Sequence, residues 1–203
     1  MLQIESARAP FTSPALAMQA VTALGRADAM GLLPNSERIQ VLDLPSFRQA
    51  ARHIHRAGIG RNLQIDLNHT SEPDLERVLE RLNTALEESP APQFEWTRLH
   101  GVLGPDLLAK LLGISPGSIR RYRANARTTP DEVAAKLHFI SLITGDLGGA
   151  YNEFGIRQWF ERKRAQLDGR SPLELLKPGW KTDQPGPCRV RGLARAIVAS
   201  PAT

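Results

Sequence analysis

Apolar residues recur along this chain at two spacings, and the two divide it into different kinds of element. Near the start, Leu16, Ala20, Val21 and Leu24 share one helical face, with Ser13 placed to cap and Pro14 at the first helical position. Ile39 and Val41 alternate with polar residues, as do Leu63, Ile65 and Leu67, so each set predicts a short strand. Between them Phe47, Ala50, Ala51 and Ile54 predict a helix closed by Gly58 and Gly60. Ser71 then caps another, with Asp74 three residues on and a stripe of Leu75, Val78, Leu79, Leu82 and Leu86. The order is helix, strand, helix, strand, helix: a small α/β unit.

After the linker Glu88-Ser89-Pro90-Ala91-Pro92, where two prolines break the helix, only the helical period remains. Trp96, Leu99, Val102 and Leu103 mark one helix, Leu107 to Leu112 a second, and Ser115 to Asn125 a third. Thr129, Pro130 and Glu132 predict a capping box for a fourth, which buries Val133, Leu137 and Ile140. Phe154, Ile156, Trp159 and Phe160 form a further helix, Ser171-Pro172-Leu173-Glu174 caps a short one, and Val190, Leu193, Ala194, Ile197 and Val198 make the last. The fold class expected is mainly α. A small N-terminal α/β unit (1–92) precedes an all-helical helix-turn-helix domain (93–145) and a short helical partner-binding domain (146–203).

The chain has 203 residues and a formal net charge of +5. The excess of base lies wholly after residue 92. Residues 1–92 hold 9 Arg against 11 acids, 93–145 hold 7 bases against 4 acids, and 146–203 hold 10 against 6. An anionic partner for the second part follows. One cysteine excludes a disulfide framework and a thiolate zinc site. No run has the ~18 apolar residues of a membrane span. Gln19 and Thr22 interrupt the apolar stretch from Ala15 to Leu24, and Glu5 precedes it, so a cytoplasmic location is expected rather than a secretory signal.

The stretch from Pro105 to Arg127 carries the most chemistry. Leu108 and Leu112 share a face, Ala109 is small enough for a crossing helix, and Gly113 sits where a tight turn needs positive φ. Ile114 plugs the turn, Ser115 caps, Pro116 starts the next helix, and Ile119 and Tyr122 point inward. This is the helix-turn-helix pattern. Burying Ile119 and Tyr122 leaves Ser115, Gly117, Ser118, Arg120, Arg121, Arg123, Asn125 and Arg127 outward, with no acid among them. Small residues permit close approach to base edges, and guanidinium groups bridge guanine acceptors or phosphates, so these eight are the candidate DNA-binding residues. Lys110 and Arg98 are candidates for added backbone contacts.

Trp159-Phe160, followed by Leu167-Asp168-Gly169-Arg170-Ser171-Pro172-Leu173-Glu174-Leu175-Leu176, resembles the C-terminal domain of the Xre/MbcA/ParS antitoxins. The resemblance covers about residues 97 to 198 and is most specific at 159–176. It implies a type II antitoxin that neutralises a RES-domain toxin, binds operator DNA to autoregulate its operon, and assembles as a homodimer or a higher hetero-oligomer. The implied partner-binding residues are Trp159, Leu167, Gly169, Arg170, Ser171, Pro172, Trp180, Leu193 and Ile197. Trp180, between Gly179 and Lys181 in a linker, reads either as a lid over the core or as an interface anchor, and the interface role is favoured. This chain departs from the family in carrying Glu161-Arg162-Lys163-Arg164 where a proline is usual, and a longer segment, 177–187, before its last helix.

Other candidates reduce to structure. His53 and His55 are two apart on a helix and point to different faces, so no metal site is expected. Cys188 has no neighbouring base and reads as an incidental thiol. Asp43 and Asp66 follow strands, as helix-entry residues do. No catalytic constellation or cofactor motif appears, so neither an enzyme nor a cofactor is expected. The alternatives to an antitoxin are a helix-turn-helix regulator without a toxin, sensing through residues 1–92, and a pure protein-binding adaptor.

Overall fold

The computed structural model describes residues 2–34, 39–61 and 71–199. It is mainly helical, with one small two-stranded sheet near the N-terminus. β1 (Ser6–Ala7) pairs in parallel with β2 (Val41–Leu42), Ser6 opposite Val41 and Ala7 opposite Leu42. α1 (Pro14–Ala29) connects them, and α2 (Leu44–Arg56) and α3 (Glu72–Glu88) complete the unit. A strand therefore precedes the first helix, where the periodicity predicts none: a two-residue strand is too short to alternate. The strand expected at Leu63, Ile65 and Leu67, and Asp66 with it, lies outside the described residues, as does the side chain of Val198.

The expected caps hold this unit. Ser13 Oγ accepts from Leu16 N at 3.3 Å, and Asp43 and Ser46 exchange both bonds of a capping box at the start of α2. Ser71 caps α3 by accepting from Asp74 N. The buried stripes of α1, α2 and α3 meet in one core around Phe11, Leu24, Leu42, Phe47, Ile54, Leu79 and Leu82.

The second core spans α4 (Pro92–Leu112), α5 (Pro116–Arg123), α6 (Asp131–Leu147), α7 (Glu153–Glu161), a 3₁₀ turn (Ala165–Leu167), α8 (Pro172–Leu175) and α9 (Pro185–Ala199). Trp159, Phe160, Leu176, Trp180, Val190 and Ala194 pack with Trp96, Leu108, Ile119 and Ile140 in this single core. The segments 93–145 and 146–199 thus share one interior. Gly104, with φ 76° and ψ 163°, separates two helical stretches within α4, as the two apolar stripes predict. One expected cap is corrected: Thr129 does not cap α6, whose N-cap is Pro130, with no side-chain bond. Its hydroxyl instead accepts from Trp96 Nε1 at 2.9 Å. Phe154 lies in α7 as expected, on its outer side and 64% exposed.

α6 is the central helix, packed against α1, α4 and α9 and buried from Lys136 to Thr144. A helix apolar over most of its circumference has no other stable place. Its crossing with α1 brings backbone onto backbone: a Cβ on Gly145 would lie 2.8 Å from Arg26 Cα. Beside the crossing, Arg26 Nε donates to Asp146 Oδ1 at 3.1 Å, with both side chains buried. Arg26 Nη1 also meets Glu87 Oε1 at 2.7 Å, and Glu87 receives Arg195 at 2.7 Å and Arg191 at 3.3 Å from α9. His138 Nδ1 lies 2.6 Å from Glu95 Oε1, and its Nε2 lies 3.0 Å from the Glu87 carbonyl. Polar groups this deep are tolerated only because they are paired.

Burial disfavours the charge on Glu87, but Arg26, Arg191 and Arg195 outweigh it and hold the carboxyl below its ordinary range. Asp146 shifts the other way, because burial there outweighs Arg26. A carboxyl lowered in the folded state stabilises above its unfolded pKa, about 4.3 for Glu. That contribution is lost as pH falls through the folded value. Urea denaturation across a pH series is therefore expected to find Glu87→Gln less stable than wild type at neutral pH. The gap should close as the solution is acidified through the carboxylate range; a constant gap would mean that Glu87 acts by packing alone.

Candidate nucleic-acid interface

The second stretch of α4 runs from Pro105 to Leu112, with Leu108, Leu111 and Leu112 buried. It ends where Gly113 takes φ 66° and ψ 33°. Gly113 N donates to Lys110 O at 3.3 Å and Ile114 N to Ala109 O at 3.2 Å. That pair of bonds is a Schellman motif, and it reverses the chain in a single residue. Ser115 Oγ accepts from Ser118 N at 3.2 Å and Pro116 opens α5. The turn, the plug and the cap all lie where the sequence pattern puts them.

α5 buries Ile119 and Tyr122 and turns the rest outward. Arg120, Arg121, Arg123, Asn125 and Arg127 are exposed, as is Ser115, while Gly117 and Ser118 are half-buried at its start. None of the ion pairs among the described residues involves Arg120, Arg121, Arg123 or Arg127. Four guanidinium groups thus face solvent without a carboxylate. Arg121 Nη2 donates to Ser118 Oγ at 3.3 Å. Tyr122 stacks on Trp96, centroids 5.5 Å apart at 19°, and the Arg127 guanidinium lies 5.7 Å over the Tyr122 ring. The Trp96–Thr129 bond fixes the bottom of this stack. Arg127 is thereby held at the end of α5 by cation–π attraction.

Asn125 has a backbone role that the sequence did not suggest. At φ 53° it closes α5 by a second Schellman motif, Asn125 N to Tyr122 O and Ala126 N to Arg121 O. His100, on α4, is another residue that periodicity passes over. Burial, and then the charge of Arg123, hold its pKa below the ordinary imidazole value. Arg98 is corrected as a backbone contact: its Nη2 pairs with Asp28 Oδ2 at 2.8 Å and its Nε donates to Asp28 O. It ties α4 to the N-terminal unit instead. Lys110 remains exposed.

The residues expected to touch a protein partner divide differently. Trp159, Leu167, Ser171, Pro172 and Trp180 are buried, so they build the domain and are corrected as direct contacts. Trp159 packs edge-on against Phe160 beneath the Arg164 guanidinium. Trp180 donates from Nε1 to Leu111 O at 2.8 Å and packs 5.2 Å from Phe139, which makes it a core pin rather than an exposed anchor. Gly169 and Arg170 are exposed on a tight turn closed by Arg164 N to Arg170 O at 3.0 Å. Asp168 in that turn pairs with Arg189 at 2.7 Å, locking the turn to α9. Leu193 and Ile197 lie half-buried against the core.

Within the N-terminal unit a cleft of about 420 Å³ opens beside β2, between Leu33, Ile39, Asp43, Gln49 and His53. Among the described residues no three His, Cys, Asp or Glu side chains converge as metal ligands, and no helix is long and apolar enough to cross a membrane. Comparison of the chain with protein-family models, curated proteins and solved structures finds no match.

Gly113 joins the two helices at a φ that costs an L-residue ~1–2 kcal/mol. A Cβ there would also meet Pro178 Cα at 3.2 Å. Gly113→Ala is therefore expected to destabilise the protein by at least ~1 kcal/mol in chemical denaturation. Gly149→Ala, with nothing within 4 Å of its added Cβ, provides the contrast.

Proposed function

We propose that this protein binds double-stranded operator DNA, with α5 in the major groove, and acts as an antitoxin-like regulator of a RES-domain toxin. One observation carries the DNA half. Three exposed arginines, Arg120, Arg121 and Arg123, lie on a helix held by a Gly113 turn against its neighbour, Arg127 follows just past its end, and none has an acidic partner among the described residues. A capped helix with small residues at its start and arginines along it matches what major-groove reading requires. A dimer fits this mode, because two such helices then meet two half-sites. The antitoxin half rests on the resemblance at 159–176, whose exposed part is Gly169 and Arg170. This reading gives the chain no catalytic role and places it in the cytoplasm.

Fluorescence anisotropy with DNA from upstream of its own gene tests the first half. Arg120→Ala and Arg121→Ala are each expected to cost ~1–3 kcal/mol of specific binding where the arginine reads a base. Where it contacts a phosphate, binding to every sequence weakens alike and the salt slope falls by about 1. Absence of salt-dependent binding by wild type would sink the proposal.

Affinity capture from the native host tests the second half. A deletion from residue 177 would strip Trp180, Val190 and Ala194 from the core, so a surface change is the better probe. Arg170→Glu is expected to lose a RES-domain partner that wild type retains, with the melting temperature unchanged. Recovery of DNA alone by wild type would favour a regulator without a toxin. The cleft beside β2 then supports the N-terminal unit as its sensor.

A further inference from the structure

The segment between α8 and α9 belongs to no helix, yet it is built onto the helix-turn-helix. Its Trp180 is 3% exposed, with Nε1 bonded to the carbonyl of Leu111. The Gly113 turn takes the carbonyls of Ala109 and Lys110, so this bond occupies the next carbonyl of the same helix end. Pro178 lies directly on Gly113. Trp180 N donates to Lys177 O at 3.1 Å, closing one turn. Lys181 begins another: Gln184 N donates to Lys181 O at 3.2 Å, while Lys181 N donates to Gln184 Oε1 at 3.1 Å. The segment is thus two consecutive turns around a buried indole, and a lysine opens each.

Both lysines are exposed. Lys177 is one Cα step, about 3.8 Å, from the proline packed on Gly113. Two residues beyond Gly113 is Ser115, the cap of α5. Lys110, in the last turn of the preceding helix, is exposed as well. Lys110 thus precedes the Gly113 turn, Lys177 adjoins the proline packed on it, and Lys181 follows the indole pinned to Leu111. Two acids lie near them: Glu132, which pairs with Lys136 at 2.7 Å and is also attracted by Lys181, and Glu174, which accepts from Ser171 N at 2.7 Å and is also attracted by Lys177. Asp183 is exposed. Flexible ammonium groups beside a reading helix suit phosphate, which fixes register without reading sequence.

We infer that the Trp180-pinned segment is a second DNA-contacting element, in which Lys177 and Lys181 grip backbone phosphates flanking the groove that α5 enters. The inference rests on the reading of α5 as a DNA-binding helix. Its contribution is independent of sequence, so it sets affinity and salt dependence but not operator choice.

The test uses the full chain, a random-sequence duplex and the duplex from upstream of its own gene, with affinity measured across a salt series. Lys177→Ala/Lys181→Ala is expected to weaken both duplexes by the same factor. The slope of log K against log salt should fall by about 2, near 0.9 for each phosphate lost. Its melting temperature should match wild type. Trp180→Phe keeps both lysines and removes the indole donor; it is expected to lose part of the same slope. If wild type and the double lysine variant share one slope while Arg120→Ala/Arg121→Ala weakens binding, the inference fails and the reading of α5 stands. A melting temperature that falls with no change in slope also overturns it, because the lysines then serve only the helix end. If wild type shows no salt-dependent binding, the reading of α5 fails and takes the inference with it.

Discussion

α6 has almost no side that faces water, and the rest of the architecture follows from that. From Lys136 to Thr144 every residue is buried, so partners must close around it: α4, α9 and, from the N-terminal unit, α1. The α1 crossing is close because Gly25 and Gly145 meet without side chains. Closeness has a cost, since the chain there carries Arg26 and Asp146 into a dry interface. Replacing one alone would strand a buried charge, which is worse than never having placed the pair. Asp146, whose Oδ2 finds no partner, shows how narrow the balance is.

The same constraint links two regions far apart in sequence. Glu87 lies in the last turn of α3, just before the proline linker, and gathers Arg26 from α1 with Arg191 and Arg195 from α9. Its carbonyl also meets His138 of α6. Arg98 of α4 reaches Asp28 of the N-terminal unit. The proline linker therefore separates two hydrophobic cores without separating two independent bodies. The surface of α5 is set by this frame: Tyr122 is stacked on Trp96, Trp96 is bonded to Thr129, and all three lie in or against the core that α6 centres.

Local chemistry was legible in the sequence and distant pairing was not. Ser13, Asp43, Ser71, Ser115 and Ser171 cap helices because a small oxygen before a helical stripe has one obvious donor to satisfy, two or three residues on. The Gly113 turn and the inward Ile119 and Tyr122 were readable for the same reason: their causes lie within a few residues. β1 escaped because Ser6 and Ala7 become a strand only once Val41 and Leu42 lie beside them. Thr129 escapes the local pattern because its donor, Trp96 Nε1, is 33 residues away.

Trp180 shows why the outer residues of the site were harder to assign than its helix. Between Gly179 and Lys181, in a stretch with no periodicity, an indole can be either a lid over the core or an interface anchor, and its neighbours do not decide which. Its place is decided by an unfilled carbonyl at Leu111 and by the ring of Phe139, neither of which its neighbours reveal. A large aromatic side chain in an irregular segment carries enough apolar surface to choose its own site. Once it does, the backbone on either side is tied down with it, by Trp180 N to Lys177 O and Gln184 N to Lys181 O. The charge around α5 is then set by two means: by helical periodicity, which sequence displays, and by buried pins under loops, which only the folded chain discloses.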